Sequence, residues 1–284
     1  MSSQYEIAKQ LMPYTGKVAW PTIILFLCSV AVYVIAIILG SYDIIPLWSV
    51  AMVNTLMAYL LFTPLHEAGH GNISDKKGRF GSLEKIIGWL SGFPLMAPYP
   101  IVTFLHHEHH KHTNDPRKDP DYYVAATNYF MLFFKCMTIY YDYIYQYFKK
   151  SKMLISDRAH RKNYIVSVLF MIFFNTIVIF WGLKSGWLYP LSMVILPAYL
   201  ALGFLALAFD WLPHHPHAVQ QKYLDTRIIL KPGLTLLLVS QNMHLIHHLY
   251  SGIPFYHYGR ALKILKPHLT EKGAKIIEKN YHKV

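Results

Sequence analysis

Residues 64–71, Pro-Leu-His-Glu-Ala-Gly-His-Gly, contain H-E-x-x-H, with His66 and His70 at i and i+4. On a helix that spacing aims two imidazoles at one metal ion, and Glu67 between them could activate a bound water, the signature of zinc hydrolases. Two further boxes follow, His106-x-x-His109-His110 and His244-x-x-His247-His248. Each places three imidazoles at i, i+3 and i+4, which predicts one shared helical face able to surround a metal from one side. A fourth cluster, His214, His215 and His217, lies in "LPHHPH".

A zinc protease needs three protein ligands and an open water position. This chain has 17 histidines, and at least nine of them sit where a metal could use them. That is too many for one tetrahedral ion and suits two ions of five or six ligands. Imidazole-rich coordination without thiolate favours iron, and iron with open positions is what oxygen activation requires. Glu67 is then expected to support the site rather than act as a base. An intramembrane zinc protease remains the reading from another class, and it predicts one zinc. The two cysteines, Cys28 and Cys136, form no C-x-x-C pair and are expected to be buried thiols.

The elements that must carry these boxes are membrane helices. The chain of 284 residues is 54% hydrophobic and only 15% charged, a composition foreign to soluble enzymes. Trp20 to Leu39 runs without a charge for the length a bilayer core needs. It starts late and no small-residue cleavage site follows, so no signal peptide is expected. Further uncharged runs cover about 45–65, 164–183 and 188–209. Asp43 and Lys184 lie in the short connections, which predicts two transmembrane hairpins. Of 27 Lys and Arg, 14 fall between Lys76 and Lys162, 10 between Lys222 and Lys283, and only Lys184 at a hairpin tip. The positive-inside rule then puts both termini and the histidine boxes on the cytoplasmic side of an inner or cytoplasmic membrane. The formal charge of +12 follows from that topology and from anionic lipid, with no nucleic-acid module in the chain.

Between the hairpins, 83–105 is apolar but interrupted by Gly88, Gly92, Pro94, Pro98 and Pro100, so a broken re-entrant or interfacial pair of helices is expected. The aromatic stretch 127–150 fits a helix lying in the membrane interface or an aromatic packing face. His160 reads as ordinary loop composition. The spans hold few polar residues, notably Asn54 and Asn175, which argues against a histidine-lined transporter. The fold expected is therefore all-α and integral to the membrane: one domain, 1–284, of four transmembrane helices in two hairpins. A cytosolic helical cap, 66–163 and 210–284, would hold a histidine-ligated di-metal site.

"HEAGH", "HHEHH" and "HLIHH" resemble the three histidine boxes of the membrane fatty acid desaturase and hydroxylase superfamily. "FLHHEHHKHTNDPRKDPDYYVA", "AFDWLPHHPH" and "VSQNMHLIHHLYSGIPFYHYGR" are similar to its bacterial β-carotene hydroxylase branch. The resemblance covers about residues 62–260 and implies a non-haem di-iron centre using O2 as co-substrate. Carried onto this chain, the ligands would be His66, His70, His106, His109, His110, His244, His247 and His248, with His214 the additional one. Glu67 and Gly69 depart from the usual "HDA" pattern, and His215 stands where an arginine is common. His107, His112, His215, His217 and His257 are left as hydrogen-bonding groups. Glu67, Glu108, Asp115, Asp119, Asp121 and Asp210 are candidates to orient the imidazoles. The resemblance implies an O2-dependent lipid hydroxylase or desaturase. Carotenoid ring hydroxylation is the first expectation and fatty acyl desaturation the alternative. The chain carries no haem, flavin or iron–sulfur motif, so a separate donor such as a ferredoxin is expected. The substrate path is expected between the second and fourth spans and the segment 89–99.

Overall fold

The computed structural model describes residues 2–278 and is mostly helical. Lys279, Lys283 and the rest of the C-terminal end of the expected cap lie outside the described residues. After α1 (Ser2–Leu11) come α2 (Trp20–Ser41) and α3 (Leu47–Gly69), then the shorter α4 (Gly81–Gly92) and α5 (Tyr99–His112). The long α6 (Tyr129–Leu154) and α7 (Arg158–Ser185) precede α8 (Leu188–His214). The chain closes with β1 (Arg227–Leu230), α9 (His244–Leu249), α10 (Tyr258–Glu271) and β2 (Lys275–Glu278).

Four helices, α2, α3, α7 and α8, are long and apolar enough to cross a membrane. Each exceeds the uncharged run that announced it, because polar caps and box residues continue the helical turns. Pro21 opens α2 and Pro46 precedes α3, where a missing N–H costs nothing. Asn128 and Asp157 accept the backbone N–H groups of Met131 and His160, and so cap α6 and α7. Residues such as Leu27, Ile35, Ile172 and Phe180 are more than half exposed or nearly so on the outer faces of α2 and α7, a surface that water would not tolerate at this density. Inside, Tyr33, Ala58, Leu65, Leu95, Ala201, Leu205 and Phe209 join α2, α3 and α8 in one core.

The interrupted segment breaks as expected. α4 and α5 meet at 95°, and the Ala97 N–H donates to the Gly92 carbonyl at 2.9 Å. A Cβ on Gly92 would stand 2.2 Å from the Ala97 oxygen, so only glycine fits that turn. α8 contains two π-type turns, 191–195 and 206–211. Asn54 serves the first by donating to the Met193 carbonyl at 2.8 Å, a structural use of a fully buried polar residue of α3.

Three expectations need correcting. The chain is not purely helical: β1 and β2 pair in parallel, Ile228 with Ile276 and Ile229 with Ile277, β-branched pairs too short and scattered to register as strands in the sequence. Cys28 is exposed on the outer surface of α2, while Cys136 is buried as expected; one side of a span helix faces outward, at a 3.6-residue repeat, whatever the polarity of its residues. His160 belongs to α7, because Asp157 caps the helix ahead of it, and its ring packs on Phe104 and Tyr147.

Candidate metal centre

Three tethers bring the boxes together. The Tyr99 hydroxyl at the start of α5 donates to the Ala68 carbonyl at the end of α3 at 2.8 Å. Asn72, just beyond His70, donates to the Ser251 carbonyl at 2.7 Å, beyond α9. Gly71, at φ +70°, turns the chain away immediately after His70. Box one thus ends α3, box two occupies the last turns of α5, and box three is α9. His214 terminates α8.

The nine expected ligands converge in two groups. In the first, His66, His70, His106 and His247 lie together, and His110 joins them, its Nε2 3.0 Å from that of His106 and 2.8 Å from that of His247. Within this group Nε2 of His66 is 3.0 Å from that of His247, and Nε2 of His106 is 2.8 Å from that of His70. In the second group are His109, His214, His244 and His248; Nε2 of His109 and His248 are 3.2 Å apart. Separations near 3 Å are those of neighbouring nitrogens around one ion with bonds of about 2.1 Å. The residues present therefore fit two metal ions.

The boxes do not each serve one ion, as a shared face would predict. His106 and His110 go to the first group and His109 to the second, whereas His244 and His248 go to the second group and His247 to the first. In both boxes the i and i+4 residues stay together and i+3 is given to the other group. At 3.6 residues per turn, i+3 and i+4 point about 100° apart, enough to reach two ions side by side.

The second ring nitrogens are held from behind. His109 Nδ1–H donates to Asp119 at 2.8 Å and lies 3.2 Å from Asp121. Asp119 itself is pinned by the N–H groups of Asn114 and Asp121. His214 Nδ1 lies 3.2 Å from the Asp225 carbonyl, and His244 Nδ1 3.2 Å from Gln241 Oε1. His247 Nδ1 is 3.0 Å from the Tyr258 hydroxyl, and His248 Nδ1 3.4 Å from Thr113 Oγ1. With Nδ1 so occupied, each ring turns Nε2 inward as a ligand. Burial pushes the pKa of His244, His247 and His248 well below the ordinary histidine value, and the neighbouring imidazoles push the same way. The rings are thus neutral, the form that binds metal. Burial acts in the same direction on His109, but Asp119 and Asp121 outweigh it and hold that ring above its ordinary value, a more basic ligand.

Among the acidic candidates, Asp119 and Asp121 touch a histidine of the site directly. Asp210 is joined through Tyr143, whose hydroxyl lies 2.5 Å from Asp121 and 3.1 Å from Asp210. Glu67 is fully buried, with Oε1 3.7 Å from His66 Nδ1. Glu108 instead faces Lys150 at 3.8 Å, and Asp115 closes a turn by accepting the N–H groups of Arg117 and Lys118; both occupy positions of α5 and its exit that turn away from the box. His112 belongs to neither group. His217 is buried beside His214 with ring centroids 6.1 Å apart; His107 is exposed, and its ring lies 5.5 Å from that of His70. His215 packs on Trp211 and His257 on Tyr14. Gln241, Tyr258, Thr113 and the Asp225 carbonyl escaped the sequence reading. Gln241 precedes His244 by three residues and Thr113 follows His109 by four, so helical spacing marked both; Tyr258 and Asp225 carried no local signal.

A small cavity of about 50 Å³ abuts the first group. Its walls are Phe62, Val102, Leu105, Ile139, Leu202 and Leu205, with His106, Asp121 and Asp210 at its polar end. These residues come from α3, α5, α6 and α8 and from Asp121 in the turn before α6, and none lies in 89–99.

The model of the fatty acid desaturase family matches residues 43–280. An sn-1 oleoyl-lipid 12-desaturase of Picosynechococcus sp. is 22% identical over 281 residues, covering 89% of this chain and 78% of that protein. An sn-1 acyl-lipid omega-3 desaturase (ferredoxin) of Synechocystis sp. is 23% identical, covering 84% and 72%. A chloroplastic omega-6 fatty acid desaturase of Spinacia oleracea is 30% identical over 114 residues, 40% of this chain and 24% of that protein. These relatives carry names that specify acyl lipids and fatty acids; the similarity to β-carotene hydroxylases read from the local motifs finds no counterpart in them.

Proposed function

This chain belongs to the fatty acid desaturase family, and from that premise we propose that it is an integral-membrane acyl-lipid desaturase with two non-haem irons. The observation that carries the reading is the pair of imidazole groups beside an apolar cavity. The overall change would be –CH2–CH2– + O2 + 2 e⁻ + 2 H⁺ → –CH=CH– + 2 H2O. Members of the family use a di-iron centre, which when bound supplies the O2 activation that amino-acid acids and bases cannot. His66, His70, His106, His110 and His247 would hold one ion, and His109, His214, His244 and His248 the other.

The protein's own residues do the remainder. The Nδ1 partners fix ring orientation, burial keeps His244, His247 and His248 neutral, and the walls of the cavity align an acyl chain and exclude water from the reacting carbons. Tyr143 holds Asp121 and Asp210 in one hydrogen-bonded set at the inner end of that cavity. Helices α2 with α3 and α7 with α8 form two transmembrane hairpins in this reading, and the basic loops place the metal centre and both termini on the cytoplasmic side. One of the relatives is named for ferredoxin; a ferredoxin-type donor suits a chain without its own redox motif and with a basic surface.

The test is metal analysis of the purified full-length protein, followed by product analysis with acyl lipids and β-carotene offered in parallel. Near two irons per chain and a new acyl double bond are expected. A hydroxylated carotenoid ring with unchanged acyl lipids would move the assignment to the hydroxylase, and one zinc with no iron after ferrous reconstitution would return His66–His70 to hydrolysis.

A further inference from the structure

A second, much larger cavity, about 460 Å³, opens between α6 and residues 116–123. Four cations line it: Arg117, Lys135, Lys149 and Lys150. Two are held in place by main-chain carbonyls, Lys135 by Ala125 at 2.6 Å and Lys150 by Lys118 at 2.7 Å. An ammonium has three donors, so hydrogens remain for a ligand. Lys150 also faces Glu108 at 3.8 Å; among the described residues Arg117, Lys135 and Lys149 stand in no ion pair. Of the two carboxylates in the lining, Asp119 holds His109, while Asp142 accepts from the neutral Gln146 amide at 2.5 Å and offsets one of the four cations. What is left over is concentrated positive charge in a concavity of small-molecule size.

The surroundings identify the class of anion. Tyr122, Tyr123 and Tyr145 wall the cavity, and α6 continues into an exposed aromatic surface of Tyr129, Phe130, Phe133, Phe134 and Tyr141. Aromatic rings beside lysines are the composition of a helix at headgroup depth in a bilayer. On α6, residues 135, 142, 146 and 149 share one face, and Ile139 and Tyr143, which line the cavity at the histidines, occupy the adjoining one. Asp119 lines the large cavity and holds His109, and Asp121, two residues on, lies in the lining of the small one.

We propose that this basic cavity seats the phosphate-bearing headgroup of the lipid whose acyl chain turns past α6 into the apolar cavity. The inference rests on the desaturase reading and adds lipid-class selection to it. Guanidinium and ammonium groups around one anion give charge-assisted hydrogen bonds, so phosphodiester lipids are preferred over neutral glycolipids.

The experiment is native mass spectrometry of the purified full-length protein released from micelles holding equal amounts of phosphatidylglycerol and a neutral galactolipid. Wild type is expected to retain phosphatidylglycerol about tenfold over the galactolipid, and Arg117→Glu with Lys149→Glu to erase the preference at unchanged iron content. If the double variant does not insert, Lys149→Gln is read the same way with a smaller expected loss. Absence of a preference in wild type, or its persistence in the variants, overturns the proposal. So does complete displacement of the lipid by excess inorganic phosphate, which would mark a free-anion site. Retention is read without turnover, so a protein that selects phosphatidylglycerol yet makes no double bond would sink the desaturase reading alone.

Discussion

The two histidine groups are built from the same boxes but supported differently. The second has a carboxylate behind His109, a carbonyl behind His214, an amide oxygen behind His244 and a hydroxyl near His248. The first has five imidazoles, of which His247 leans on Tyr258, while buried His66 Nδ1 has no hydrogen-bond partner among the described residues. Oriented ligands bind metal better because the rings lose less freedom on coordination and a carboxylate raises ring basicity. One half of the centre is therefore preorganised by hydrogen bonds, and the other chiefly by the packing of α3, α5 and α9. The half with fewer hydrogen bonds is the one that abuts the apolar cavity, through His106.

The strongest way to break this comparison is to delete one ligand from each side. His247→Ala and His109→Ala are each expected to lower turnover by about a thousandfold or more with the protein still inserted, and combining them should cost little extra, since the two ions act as a unit. Product formation by either single variant at a tenth of the wild-type rate would remove that residue from the ligand set. A smaller effect is expected behind the second group. Asp119→Asn should weaken its metal by about 10- to 100-fold, read as iron retained against a chelator, whereas Tyr258→Phe beside His247 should cost less than tenfold.

Chelator titration of the wild type sharpens the contrast without mutation. Iron is expected to leave in two phases, the first from the group with fewer supporting hydrogen bonds, and Asp119→Asn should merge the phases. A single phase in the wild type would mean that the hydrogen-bonded backing makes no difference to retention. Glu67→Gln is expected to have the smallest effect, with more than half of the activity surviving, because Glu67 sits beside His66 rather than within either group. Loss of essentially all rate would instead mark it as a general base.

Much of the architecture was legible because membrane helices announce themselves locally. Uncharged runs found all four helices long and apolar enough to cross a membrane, and proline and glycine spacing found the bend between α4 and α5, including the glycine that the Ala97 carbonyl demands. Eight of the nine histidines were legible by type and spacing and His214 by the family resemblance, and all nine are in the two groups. What escaped has a common cause. Tyr258, the Asp225 carbonyl, and α6 as a wall of the cavity contribute through contacts between segments far apart in the chain, which leave no local periodicity. Glu108, next to a ligand in sequence, points to Lys150 because adjacent helical residues diverge by about 100°.

The amino-acid sequence by itself determined a membrane-embedded helical chain with imidazole-rich boxes at helix ends, since apolar run length and i, i+3, i+4 spacing are properties of the local chain. Only the tertiary structure decided how those boxes are shared between two imidazole groups, which carboxylates stand behind them, and where the apolar and basic cavities lie. Those features depend on the packing of helices against one another, and a one-dimensional pattern carries the faces of each helix but not the partners they meet.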